Sequence, residues 1–77
     1  MTPEELDEWL GEQFQVLSRG VTKITGSDEI EVWMKDVLFT SRDIEKISEI
    51  MDIKMWTVES VNNKVLITIT GKIKERR

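Results

Sequence analysis

Two consecutive asparagines, Asn62 and Asn63, constrain this chain more than any other feature. Asn tolerates positive φ, which a two-residue type I′ turn demands at both central positions. On one side stands Met55-Trp56-Thr57-Val58, a run of β-favouring residues. On the other, Val65, Ile67 and Ile69 alternate with Leu66, Thr68 and Thr70, the period of a strand with two unlike faces. The pattern predicts a hairpin of defined register. With Asn62-Asn63 as the turn, Val61 faces Lys64, Ser60 faces Val65, Val58 faces Ile67 and Trp56 faces Ile69. Glu59 opposite Leu66, Thr57 opposite Thr68 and Met55 opposite Thr70 fall on the other face. A one-residue slip would scatter the apolar set, so the register is well specified. The Trp56 face is expected to be the buried one, with Trp9 and Trp56 in the core.

At 77 residues and beginning with Met, the chain reads as one complete domain, 1–77. Chains of this size bury roughly 60% of their unfolded surface, so a small core is what the apolar residues must build. There is no Cys and no His. Disulfide frameworks and thiolate metal sites are excluded, and the commonest metal ligand and general base is missing. No apolar run approaches the ~20 residues of a membrane span. The N-terminus is acidic and lacks the apolar stretch of a secretory leader. A cytoplasmic location is the expectation.

The net charge of −4 is unevenly spread. Residues 1–31 carry eight acids and two bases, whereas residues 64–77 carry five bases and one acid. The chain is acidic at the front and basic at the tail.

Thr2-Pro3-Glu4-Glu5 has the chemistry of a helix start: a capping Thr, Pro at the first helical position and Glu three residues after the cap. Leu6, Trp9, Leu10, Phe14 and Leu17 follow at helical spacing, with Val16 on the flank. Gly20 is expected to end this helix near Ser18 or Arg19. Val21–Thr25 then alternates as a strand, Gly26-Ser27-Asp28 turns, and Ile30, Val32 and Met34 share a face opposite Glu31, Trp33 and Lys35. A three-residue loop would pair Ile24 with Ile30 and Lys23 with Glu31. Alternation fails after Asp36, where a bulge or strand end is expected. Thr40 or Ser41 opens a second helix with Ile44, Ile47 and Met51 on one stripe, and Asp52 is its expected exit.

The order α-β-β-α-β-β has a natural closed solution, an α+β fold with two helices packed on one face of a four-stranded antiparallel sheet. It is what a ferredoxin-like plait becomes when its first strand is moved to the C-terminus. The tight Asn62-Asn63 hairpin supplies the new join, and the last strand becomes central.

Candidate chemistry is thin. No nucleophile sits in a motif, and there is no Gly-rich phosphate loop and no metal-ligand spacing, so neither a cofactor nor an enzymatic activity is expected. Asp28, Glu29 and Glu31 read as turn and solvent residues rather than a cation cluster. Glu4, Glu5, Asp7 and Glu8 read as a solvated first turn suited to the helix dipole, with an anionic mimic as the sharper alternative. Trp33 stands out. With Ile30, Val32 and Met34 facing the helices, it lies on the bare side of the sheet, where Met55 and Leu66 join it with Thr68 between. An apolar patch of this kind marks a partner contact. Lys64, Lys72, Lys74, Arg76 and Arg77 are the candidate phosphate contacts if the same face meets nucleic acid. The leading expectation is a small non-catalytic protein-interaction module, self-associating as a homodimer through the open face or an edge strand. Adaptors, subunits and inhibitors, including those of viruses and mobile elements, are often of this size and acidity. Nucleic-acid binding is the alternative.

Overall fold

The structure is a computed structural model, and it describes residues 1–74. Its elements are α1 (Pro3–Phe14), β1 (Arg19–Lys23), β2 (Ile30–Lys35), α2 (Ser41–Ile50), β3 (Met51–Val61) and β4 (Lys64–Ile73). The four strands form one antiparallel sheet in the order β1-β2-β4-β3, so β4 is central and β1 and β3 are edges. The fold is α+β with an open sheet. A single core cluster draws Leu6 and Leu10 from α1, Ile47 from α2, Ile30, Val32 and Met34 from β2, and Ile67 and Ile69 from β4.

Both helices start as their sequences dictate. Thr2 and Glu5 form a reciprocal capping box, with the Glu5 amide donating to Thr2 Oγ1 at 3.2 Å and the Thr2 amide to Glu5 Oε1 at 2.8 Å. Thr40 caps α2, its amide donating to Asp43 Oδ2 at 2.7 Å. The exits differ from expectation. α1 stops at Phe14, with Gln15 in the left-handed region at φ 50°, and Gly20 lies inside β1 instead of ending the helix. Val16 turns inward while Leu17 is 95% exposed, because the chain has already left helical periodicity when it reaches them. The early exit is held by Arg19. Its Nη1 donates to the Val16 carbonyl at 2.7 Å and its Nε to the Asp7 carbonyl at 2.9 Å, with the Asp7 carboxylate 3.4 Å away. α2 passes straight into β3, so Met51 is the cap and first strand residue, and Asp52 is already in the strand.

The β1–β2 register is one residue away from the expected one. Thr22 pairs with Glu31, Lys23 with Ile30 and Val21 with Val32. A one-residue shift exchanges the faces of a strand, so Val21 rather than Ile24 points to the core. The connecting loop is longer than three residues. The Ser27 amide donates to the Ile24 carbonyl at 3.2 Å across a turn with Gly26 at φ 79°, a backbone that suits Gly at that turn position. Ser27 Oγ then accepts from the Glu29 amide at 3.1 Å. β2 ends at Lys35, and Asp36 turns the chain at φ 57°.

The β3–β4 hairpin has the expected register throughout, from Val61–Lys64 at the turn to Met55–Thr70, with Asn62 and Asn63 at φ 52° and 64°. β3 is longer than the sequence pattern indicates because Met51, Asp52 and Ile53 also pair with β4, with a bulge between Ile53 and Met55. The bulge brings the β3 backbone over Gly71, where an added Cβ would run into the Asp52 carbonyl oxygen.

Candidate interaction surface

The open face of the sheet carries the residues the sequence pattern assigns to it. Across the sheet, Gly20, Trp33, Thr68 and Thr57 are successive partners in one row, Lys35, Leu66 and Glu59 in the next, and Thr22, Glu31, Thr70 and Met55 in the row on the other side. Trp33, Met55, Leu66 and Thr68 therefore share a face. They do not close into one patch. The indole of Trp33 lies towards β1, over Gly20, where a Cβ would run into its Nε1. Gly20 thus provides the space that lets a large aromatic ring cover an edge strand. Lys35 Nζ sits 5.9 Å from the same ring. Met55 is 58% exposed at the opposite edge, and Leu66 and Thr68 between them are half-buried.

The other face holds a correction. Trp56 and Val58 sit in register with the buried Ile69 and Ile67, yet they are 49% and 55% exposed. The reason is length. The 10 residues of α2 span about 15 Å. The 11 residues of β3 span about 36 Å. α2 joins β3 without a loop, and Met51 and Ile53 next to the join pack into the core. Trp56 and Val58 lie further along the edge strand, whereas their partners Ile69 and Ile67 on the central strand are buried. Trp9, by contrast, packs against the core edge-on to Phe14, with ring centroids 5.9 Å apart.

What remains is an apolar groove of about 750 Å³ on the helix side of the hairpin. Its walls are Leu38 and Phe39 from the β2–α2 connection, Ile44 from α2, and Trp56, Val58 and Val65 from the hairpin. Leu38 is 95% exposed and Val65 42%. Sequence reasoning assigns Trp56 and Val58 to the core because strand alternation reports which face a residue is on, not whether that face is covered. The available signal was the mismatch between a short helix and a long hairpin.

The basic candidates are placed beside acids. Lys64 Nζ is 3.3 Å from Asp36, Lys72 Nζ 3.2 Å from Asp28 and Lys74 Nζ 4.0 Å from Asp52. These pairs are exposed and contribute little stability, but they offset the positive field that phosphate binding needs. Arg76 and Arg77 lie outside the described residues. Glu29 pairs with Lys54 at 3.4 Å, and Glu31 faces Thr22 rather than Lys23. Among the described residues, no cluster of three or more His, Cys, Asp or Glu is placed to hold a metal ion. Nor is any helix among them long and apolar enough to cross a membrane. No protein-family model, curated protein or solved structure matches the chain.

Proposed function

We propose that this chain is a small non-catalytic protein-interaction module, of the adaptor, subunit or inhibitor kind, working in the cytoplasm through its β3–β4 hairpin. The observation that supports this is the half-exposed pair Trp56 and Val58, continuous with Val65 and Leu38 around one groove. Exposed apolar surface of this extent costs solubility unless something covers it, and Trp is enriched at protein interfaces. We also read the topology as a ferredoxin-like plait with its first strand moved to the end; the strand order β1-β2-β4-β3 supports that reading.

The test is capture of a protein partner by the immobilised chain at low and high salt. Capture should persist at high salt and disappear with Trp56→Glu. Loss of capture with Trp33→Glu but not with Trp56→Glu would move the site to the open sheet face. Nucleic-acid binding is the competing outcome. It would appear as oligonucleotide binding that weakens steeply with salt and fails when residues 72–77 are removed.

A further inference from the structure

Resting on that reading of the hairpin, we infer that its partner is a second copy of this chain, joined antiparallel along the free edge of β3 about a two-fold axis at Thr57.

The edge is available for pairing. In a two-residue hairpin the residues flanking the turn exchange both hydrogen bonds, so Val61 directs its backbone groups at Lys64. The neighbouring strand fixes the phase: the Val65 carbonyl accepts from the Asp36 amide at 3.0 Å, on the β2 side. Ser60, Val58 and Trp56 therefore turn their N–H and C=O groups outward from the sheet. The two edges are guarded differently. β1 has five residues and carries Arg19 and Lys23. β3 has its guards at one end, the bulge at Lys54 and the Lys54–Glu29 ion pair. From Met55 to Val61 it is regular, contains no Pro and carries one charge, Glu59. An unguarded edge of that length is a template for another strand.

The stretch is complementary to itself. With the axis at Thr57, Trp56 of one copy lies opposite Val58 of the other, twice, using the outward backbone groups of both. Thr57 meets Thr57, Met55 meets Glu59 and Ser60 meets the level of Lys54, so no like charges face each other. Aromatic–β-branched and Thr–Thr pairs are favourable cross-strand neighbours. An axis at Trp56 would instead set Val58 against the bulge, and one at Val58 would set Trp56 against Ser60. Met55, Trp56, Val58 and Val61 are each more than a third exposed. Together they offer roughly 350 Å² per copy. The strand main chain adds to this, against the ~800 Å² per partner that stable complexes bury.

Sedimentation of the whole chain over a concentration series tests the inference. The wild type should pass from monomer to dimer, and Val58→Pro should weaken the dimer by about tenfold or more. Proline at Val58 removes an outward N–H and leaves the β4 pairing intact, so the circular dichroism of the monomer should be unchanged. The chain has no Cys of its own, which allows a second readout. Thr57→Cys should cross-link to itself on oxidation, because a non-hydrogen-bonded antiparallel pair holds its Cα atoms about 4.5 Å apart, within disulfide reach. Trp33→Cys should not. A wild type that stays monomeric with no Thr57→Cys cross-link overturns the inference, as does a dimer indifferent to Val58→Pro. If either result comes with Trp56-dependent capture of another protein, self-pairing falls and the interaction reading stands. If neither dimer nor capture is found, both fall.

Discussion

In the first helix–hairpin unit, α1 runs for 12 residues beside strands of five and six; in the second, α2 runs for 10 residues beside strands of 11 and 10. The first helix, about 18 Å long, matches strands of about 16 to 20 Å. The second is less than half as long as its hairpin. The outcome follows residue by residue. Ile30, Val32 and Met34 on β2 are all buried, whereas Trp56 and Val58 on β3 and Val65 on β4 remain in water on the same side of the sheet. The same alternating pattern thus builds a core where other elements lie over it and an apolar surface on the edge strand that the short helix leaves uncovered. Apolar alternation specifies a face; only the cover decides what that face is for.

The sharpest way to break the comparison is to delete one side chain from the central strand and one from the edge strand of the second hairpin. Ile69→Ala, at a fully buried site, should cost about 2 to 5 kcal/mol in urea unfolding. Val58→Ala, measured at a concentration where the chain is monomeric, should cost less than about 1 kcal/mol. Equal losses would mean the edge strand is as well covered as the central one. Next in size is Gly71→Ala. Its Cβ would meet the Asp52 carbonyl, part of a paired strand that cannot move aside, and the loss should be about 1 to 3 kcal/mol by the same unfolding measurement. A neutral result would show that the bulge relaxes and that the junction between α2 and β3 is looser than described. In the first unit, Thr2→Ala removes one half of the capping box and should cost about 1 kcal/mol, read as a lower thermal midpoint.

The smallest effect sharpens the contrast between the two exposed tryptophan sites. Gly20→Ala would push against the far end of the Trp33 indole, a side chain that can swing away. Stability should change by less than about 1 kcal/mol, while the indole N–H resonance of Trp33 moves. No movement would mean the ring does not rest on β1.

Much of this was legible in the residues. The Asn62-Asn63 turn, the register of β3 on β4, the inward set Ile30, Val32 and Met34, and the Thr2–Glu5 capping box follow from local chemistry that tertiary structure has no reason to override. The errors have a common cause. Gly20 and Leu17 looked like the end of a helix because Gly is a common helix stop and Leu17 keeps helical spacing; Arg19, reaching back to Asp7 and Val16, ends the helix a turn sooner. The β1–β2 register depended on loop geometry, and Ser27 and Gly26 favour a longer loop. Alternation along β2 puts Trp33 on the open face, but its direction over Gly20 depends on a cross-strand neighbour that only the β1–β2 register sets. The exposure of Trp56 depends on how far α2 reaches, which alternation along β3 does not encode.

The most direct measurement is the fluorescence of Trp56 alone, in the chain carrying Trp9→Phe and Trp33→Phe, followed as the protein is concentrated. A bare indole on an uncovered hairpin predicts water-like emission at high dilution that shifts to the blue as copies meet. Blue emission already present at the lowest concentration, and unchanged thereafter, would place Trp56 inside the single chain and contradict the account.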